Sequence, residues 1–406
     1  MAPMPLSRRT FLTGAAGAAA VAGLAAHRPL EQALGLSSTT RKPHAVAGKG
    51  ILVVVTLYGG NDGLNTVIPY QDSAYLAGRP SLGYQPSQVI PLDTQLALHP
   101  NLTGLKTLWD AHQLAIVLGV GYPSPSRSHF RSMDIWQSAV PGTDEITGWL
   151  GRWLDTGGDD PMRALSIGPT LPKLLAGART AAGSIPSGQL HLPGAGRFDT
   201  TFATLERAFT GESGLAARVA QSGTDLLTLL HEVGRILEPT PAPATASPSS
   251  LAGQLDVVSR LIKGGAPTAV YSVSLGGFDT HAAEKDNHAR LMTELDAGIS
   301  GFLKSFDGDI HGDRVVIMTV SEFGRRVTAN ASGGTDHGTA APLFVAGHSV
   351  KGGLYGEQPS LTDLDQGDLK FTIDFRSVYA TVLDRVLGTD PKSVLNGRTF
   401  PDLALL

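Results

Sequence analysis

The chain has 406 residues, of which 42% are hydrophobic and 17% charged, so it is long and apolar enough to bury a sizeable core. Its formal net charge is −4, which disfavours nucleic acid or an anionic membrane surface as a partner. The absence of cysteine excludes disulfides, thiol catalysis and thiolate metal sites. Any metal ion must therefore be held by histidine, aspartate, glutamate or a hydroxyl oxygen.

The N-terminus carries an export pattern. The stretch from Ser7 to Leu12 reads Ser-Arg-Arg-Thr-Phe-Leu, a twin-arginine motif, and an apolar stretch rich in alanine and glycine follows it. Such a stretch is a poor permanent membrane anchor. We therefore expect residues 1–45 to be a twin-arginine signal peptide and linker that engages the twin-arginine translocation machinery. The processed protein is then periplasmic or extracellular, with no stable membrane span; an uncleaved membrane anchor is the alternative.

Continuous apolar runs alternate with segments of helical spacing in the remainder. The runs are Ile51–Leu57, Leu114–Val120, Thr268–Leu275, Val315–Val320 and Leu343–Val345. Between them, one helical face is predicted from Phe130, Met133 and Trp136, and another from Leu291, Leu295 and Ile299. This order predicts an α/β fold with a mostly parallel sheet covered by helices on both faces.

The middle of the chain has a different character. Residues 188–265 read as a helical insertion, interrupted by a low-complexity loop at Glu238–Ser250 that is rich in proline, alanine and serine. We expect residues 46–406 to form a single domain that includes this insertion.

Side chains suited to metal binding lie next to the apolar runs. Asp62 follows the first run, Asp279 and His281 follow the third, Glu322 follows the fourth, and Asp336 and His337 precede the fifth. In an open α/β sheet, sites form outside the carboxyl ends of the strands. These six residues therefore predict a site for one or two divalent ions, since carboxylates and imidazoles are suitable ligands. His129, after the second run, either lines this site or points outward.

A candidate nucleophile also follows the second run. Ser128 stands directly before the helical segment, where a hydroxyl either caps the helix or faces unpaired N–H groups that attract an anionic ester. A nearby divalent ion would lower the pKa of the hydroxyl and make it a nucleophile. Ser126 competes for this role, and Arg127 is suited to clamp ester oxygens.

Several long motifs, taken together, resemble one family. They are LVVVTLYGGNDGLNTVIPY, PSRSHFRSMDIWQSA, LGGFDTHAAEKDNH, VSEFGRR and GGTDHGTAAPLFVAGHSVKGGLYG, and they span about Ile51 to Leu387. The chain resembles the exported family called domain of unknown function 1501, which is similar in fold to the alkaline phosphatase and sulfatase superfamily. The resemblance implies an alkaline phosphatase-like domain with metal ligands at Asp62, Asp279, His281, Glu322 and His337 and a nucleophile at Ser128 or Ser126.

The chain also departs from the superfamily pattern. Phe323 stands where the superfamily usually has a histidine, and one residue rather than three separates Asp279 from His281. A single ion, or a pair of oxygen-preferring ions, is therefore an alternative to two zinc ions. Zinc, calcium, magnesium and manganese are not distinguished.

The resulting hypothesis is an exported metal-dependent hydrolase of phosphate or sulfate-type esters, acting on a small anionic ester. The alternative is a non-catalytic exported binding or assembly protein that retains the fold.

Overall fold

The computed structural model describes residues 50–142, 144–158, 160–186, 229, 232–237 and 247–406. The signal-peptide prediction for residues 1–45 and most of the expected insertion and loop lie outside these residues. The chain divides into two compact units, one of residues 1–44 and 188–239, the other of residues 45–187 and 240–406. In the first unit, the structure describes Leu229 and the helical residues 232–237. The elements below belong to the second unit. No helix in the described ranges has the length and apolarity needed to cross a membrane.

The strands of the second unit are β1 (Ile51–Tyr58), β2 (Val67–Ile68), β3 (Ile90–Pro91), β4 (Ala97–Leu98), β5 (Leu114–Gly121), β6 (Ala164–Ile167), β7 (Gly183–Ile185), β8 (Val270–Gly276), β9 (Val315–Ser321), β10 (Arg325–Ala329), β11 (Thr335–His337), β12 (Ala341–Ala346), β13 (Gly353–Tyr355), β14 (Leu364–Asp365), β15 (Asp368–Leu369) and β16 (Ile373–Asp374). Its helices are α1 (Gly63–Thr66), α2 (Ser73–Gly78), α3 (Thr103–Asp110), α4 (His129–Ser138), α5 (Trp149–Asp155), α6 (Leu251–Lys263), α7 (Glu284–Lys304), α8 (Phe375–Arg385) and α9 (Pro391–Val394). Short 3-10 turns lie at Pro86–Gln88, Pro161–Arg163, Lys173–Leu175 and Gly312–Arg314.

One large sheet organises this unit. Its strand order is β13-β5-β12-β9-β1-β8-β6-β7, and β16 pairs with β5. The central strand β1 runs parallel to both of its neighbours, β8 and β9, and its residues 51–57 are buried. β-branched side chains dominate β1, as expected for a strand covered on both faces. All five apolar runs of the sequence are strands of this sheet, so the predicted mostly parallel α/β fold is confirmed.

Strand β12 runs opposite to its neighbours. It pairs antiparallel with both β5 and β9. The start of β12 therefore lies at the sheet edge where β5 and β9 end. Because of this reversal, residues that precede β12 approach residues that follow the parallel strands.

The flanking helices agree with the sequence in one case and differ in another. Helix α7 buries Leu291, Leu295 and Ile299, as predicted. In α4, Trp136 is buried, but Phe130 is 91% exposed, so the predicted shared face is wrong. Each three-residue step falls short of a full turn by about 60°, which puts residues 130 and 136 about 120° apart. The buried face of α4 instead carries Ile135 and Trp136.

Helix α6 forms part of the helical layer of the second unit. It was expected in the insertion, yet it contacts α7 and β8. Arg260 and Lys263 in its last turn complement the helix dipole, and Ser250 caps its first turn by accepting a hydrogen bond from the Gly253 N–H.

Candidate metal centre

Three imidazoles converge on one carboxylate at the carboxyl edge of the sheet. The Oδ1 atom of Asp279 lies 3.0 Å from Nε2 of His281 and 3.1 Å from Nε2 of His337. Nε2 of His129 lies 3.4 Å from the same oxygen. The Nε2 atoms of His281 and His337 are 2.9 Å apart. We call these four residues the His-Asp cluster.

The ends of the strands place these side chains. Asp279 and His281 follow β8, His129 begins α4 after β5, and His337 ends β11 just before β12. Gly59, at the end of β1, has a φ of +119°, and a Cβ atom there would lie 2.4 Å from the Asp279 nitrogen. Only glycine permits this approach without strain, so the glycines after β1 let the loop carrying Asp279 lie against the strand end.

Each imidazole has an acceptor near its other nitrogen. The Nδ1 atom of His129 lies 2.8 Å from Oε1 of Glu322, and Nδ1 of His337 lies 2.8 Å from the Arg127 carbonyl oxygen. Nδ1 of His281 lies 3.6 Å from Oδ1 of Asp336. The two acceptors at 2.8 Å favour a proton on Nδ1 of His129 and His337 and direct their Nε2 lone pairs into the cluster, which is the usual outer arrangement of metal-binding histidines.

Glu322 and Asp336, both expected as direct ligands, stand behind imidazoles. The side chain of Glu322 is 2% exposed, and its Oε1 also accepts a hydrogen bond from the Gly59 N–H at 2.8 Å. Asp336 accepts a hydrogen bond from Asn330 Nδ2 at 3.3 Å. Glu322 therefore orients His129, whereas Asp336 lies beyond hydrogen-bond distance of His281.

Arg325 ties the loops around Asp279 together. Its side chain is fully buried, and it donates to the carbonyl oxygens of Gly60 at 2.8 Å and Thr335 at 2.9 Å. It also donates to Oδ1 of Asp279 at 2.8 Å. Burial raises the pKa of Asp279, but the Arg325 guanidinium and the neighbouring imidazoles outweigh it and lower that pKa to about 2. Asp279 is therefore an anion at neutral pH.

The residues of the cluster fit a divalent cation. Nε2 of His129 is buried and has no hydrogen-bond partner. One ligand atom from each of His129, Asp279 and His337 falls within 4.8 Å of the others. A cation would satisfy the converging lone pairs and the carboxylate charge together. His281 belongs to the same group through its contacts with Asp279 and His337.

The structure does not bring Asp62 into this cluster. Asp62 is fully buried, and its Oδ2 pairs with Nη1 of Arg79. Burial raises the pKa of Asp62, and the charge of Arg79 outweighs it, so the net pKa is lowered. Burial and the Asp62 charge raise the pKa of neighbouring Glu284 to about 9. Oδ1 of Asp62 and Oε1 of Glu284 both lack another partner, which fits a proton on Glu284 shared with Asp62.

The candidate nucleophile stands beside the cluster. Ser128 is exposed, precedes His129 at the start of α4, and makes no side-chain capping bond. Ser126 Oγ instead accepts a hydrogen bond from the Ser128 N–H at 3.2 Å. The guanidinium of Arg127 is held by Asp368, with Nε 2.7 Å from Oδ2. Of the two serines, Ser128 has the uncommitted hydroxyl.

Sequence reasoning left His129 undecided and missed Arg325. His129 directly follows the candidate nucleophile Ser128 after β5, and this position in the sequence indicated that it could line the site. Arg325 lies three residues after Glu322 and gave no signal, because its partners are mostly backbone carbonyls from distant segments.

The family model described as "Protein of unknown function (DUF1501)" matches residues 174–400, more than half of the chain. The chain belongs to this family. The sequence-based resemblance to it is therefore confirmed. No curated protein matches this DUF1501 chain.

Solved structures similar to this DUF1501 protein include members of the alkaline phosphatase superfamily. One is a protein of that superfamily from Vibrio parahaemolyticus, with 12% identity, a TM-score of 0.40, and coverage of 94% of this chain and 79% of that one. Another is the lipoteichoic acid synthase LtaP from Listeria monocytogenes, with 9% identity, a TM-score of 0.37, and coverage of 91% and 81%. A third is the phosphonate monoester hydrolase of Agrobacterium radiobacter, with 10% identity, a TM-score of 0.36, and coverage of 86% and 78%.

Proposed function

We propose that this protein is a metal-dependent hydrolase of phosphate or sulfate-type esters with Ser128 as its nucleophile. One observation carries the proposal. Three imidazole Nε2 atoms and the ionised Asp279 converge within hydrogen-bond distance or close to it, while an exposed serine with an uncommitted hydroxyl directly precedes one of the imidazoles. Three imidazoles around a single carboxylate are the donor set of a cation site.

The ligand types narrow the choice of ion. Magnesium and calcium prefer oxygen ligands, whereas three nitrogens and one carboxylate oxygen suit zinc. We propose one zinc ion held by His129, His281, His337 and Asp279. A bound divalent ion would supply positive charge that lowers the pKa of a nearby hydroxyl and stabilises charge on the ester in the transition state.

The remaining chemistry falls to residues of the chain. Oγ of Ser128 forms a bond to phosphorus or sulfur and gives its proton to solvent, as the alcohol oxygen leaves and takes up a proton. Water then breaks the seryl ester and releases phosphate or sulfate. The first N–H groups of α4 attract the ester anion. The Glu322 carboxylate and the Arg127 carbonyl hold two imidazoles in orientation.

We also propose that the protein works outside the cytoplasm, on a small anionic ester, after export by the twin-arginine route. The Ser-Arg-Arg-Thr-Phe-Leu stretch at residues 7–12 supports this. Mass spectrometry of the exported N-terminus tests it, because a twin-arginine substrate loses a segment that includes Arg8 and Arg9.

The central experiment measures hydrolysis and bound metal on the same samples. The exported protein, Ser128→Ala and Asp279→Ala are assayed on aryl phosphates, phosphonates and sulfates, and each sample is analysed for metals. We expect Ser128→Ala to keep its metal and lose turnover, and Asp279→Ala to lose both. Metal binding by the unaltered protein without turnover of any ester would favour the non-catalytic alternative. Unchanged turnover in Ser128→Ala would refute the assigned nucleophile.

A further inference from the structure

A cavity of about 790 Å³ adjoins the His-Asp cluster. It shares two residues with the surroundings of the cluster. The ring of Phe323 lines the cavity and lies 4.9 Å from the His129 ring and 4.7 Å from the His337 ring. Arg127 also lines the cavity, and its carbonyl oxygen accepts from Nδ1 of His337. A molecule in this cavity would therefore be a close neighbour of an ester held at the cluster.

The wall combines aromatic rings with balanced charge. Its aromatic members are Tyr122, Trp136, Phe323 and Phe371. Its charged members are two basic and two acidic residues, Arg127, Lys370, Asp365 and Asp368. Arg127 is paired with Asp368, and Lys370 with Asp363. Such a wall suits an uncharged ligand with a flat or ring-shaped body.

Two buried polar atoms in the wall lack hydrogen bonds. The Nε1 atom of Trp136 has no acceptor, and the residue is 5% exposed. Oδ1 of Asp368 makes no hydrogen bond, although it lies 3.3 Å from Nε of Arg326. Buried polar groups are normally paired, and unpaired ones call for an explanation. A hydroxyl can accept from an indole N–H and donate to a carboxylate, so a ligand with several hydroxyls matches the polar chemistry of these two wall residues.

Two cavity residues adopt a backbone conformation that glycine would favour. Ser124 has a φ of 54° and Gln366 a φ of 51°. Gln366 and Gly367 form the two-residue turn between β14 and β15, and Gly367 has a φ of 88°. Turns with two positive φ values favour asparagine and glycine, so glutamine at this position strains the backbone. A role of the Gln366 side chain in the cavity wall would account for its presence there.

We infer that this cavity binds an uncharged ring compound bearing several hydroxyl groups, such as a monosaccharide unit, which is the alcohol part of the ester. The inference rests on the proposed function in naming that alcohol as the part of the substrate released on hydrolysis. Gln366 hydrogen-bonds the hydroxyls, and Phe371 covers the apolar face of the ring. Both residues determine specificity and take no part in the bond changes.

Binding of the free alcohol tests the site independently of turnover. The full-length protein is titrated with methyl glucoside, methyl galactoside and myo-inositol by calorimetry and ligand-observed NMR. Benzyl alcohol, a ring with a single hydroxyl, serves as the contrasting probe. Asp279→Ala is titrated in parallel. If this variant still binds the free alcohol, the cavity binds it independently of the proposed hydrolase activity.

The sharpest variant is Gln366→Gly. Glycine relieves the backbone strain of the positive φ, so we expect an unchanged or higher Tm. The loss of the side chain removes one hydrogen bond to the ligand and should weaken binding at least about fivefold. Phe371→Ala should also weaken binding. Ile310→Ala, another exposed apolar residue, is the control and should bind as the unaltered protein does. The inference is overturned if no polyhydroxylated probe binds, if benzyl alcohol binds equally well, or if Gln366→Gly binds with undiminished affinity.

Discussion

The shared proton between Glu284 and Asp62 predicts an unusual effect of pH on stability. Burial and the Asp62 charge raise the pKa of Glu284 from 4.5 to about 9 in the folded protein. In the unfolded chain both carboxyls are ionised above about pH 5. Between about pH 5 and pH 8 the folded pair therefore holds one proton more than the unfolded pair, and its contribution to the free energy of unfolding falls by about 1.4 kcal/mol per pH unit.

Replacing Glu284 with glutamine removes this dependence. The amide can accept the hydrogen bond that the Thr335 hydroxyl now gives to Oε2 of Glu284 at 2.6 Å, and it can donate to Asp62 without titrating. The sign follows from the raised pKa: the contribution of Glu284 is complete below about pH 4.5 and is lost as pH rises towards 9. Glu284→Gln should therefore match the unaltered protein near pH 5 and exceed its stability progressively as pH rises.

Urea unfolding at several pH values between about 5 and 8 measures this difference. The expected difference grows by about 1.4 kcal/mol per pH unit and amounts to a few kcal/mol at pH 7. Glu357→Gln removes a carboxylate from an exposed position and serves as the matched control, with no such growth. Parallel stability curves for Glu284→Gln and the unaltered protein would refute the shared proton.

Three further substitutions probe the contacts around the cluster. Glu322→Gln should weaken metal binding by roughly 10- to 100-fold while leaving the fold intact, because Glu322 orients His129. Competition with a chelator measures the affinity for the metal, and an unaltered affinity would show that Glu322 is dispensable. Gly59→Ala should lower the free energy of unfolding by at least about 2 kcal/mol, since the added Cβ meets a φ of +119° and the Asp279 backbone; thermal unfolding checks it, and wild-type stability would contradict the close approach. Arg79→Met leaves Asp62 buried without its cation and should cost about 3–5 kcal/mol, whereas a neutral effect in urea unfolding would show that Asp62 is not charged.

The strands of the large sheet could be predicted from the sequence because they are continuous apolar runs. Each of the five runs became a strand of the large sheet, and the polar residues after β8 and before β12 do meet at one edge. Strand order and direction follow from long-range pairing and could not be read from the runs. The reversal of β12 is an example, and it explains why His337, which precedes β12, lies beside Asp279, which follows β8.

The role of each polar residue was harder to predict than the sheet edge at which these residues lie. Carboxylates and imidazoles look alike as potential ligands in a sequence, so Glu322 and Asp336 could not be separated from Asp279. Their positions behind histidines depend on side-chain distances of 2.8 and 3.6 Å, which sequence periodicity does not encode. Asp62 illustrates the same limit, because its partner Arg79 lies 17 residues away in an unremarkable stretch.

The proposed function requires that the His-Asp cluster hold one cation. Anomalous X-ray diffraction at the zinc absorption edge, from crystals of protein loaded with zinc, tests it most directly. We expect a single strong peak bonded to Nε2 of His129, His281 and His337 and to Asp279. A peak beside Asp62 and Glu284, or imidazoles that hydrogen-bond to one another with no peak between them, would contradict it.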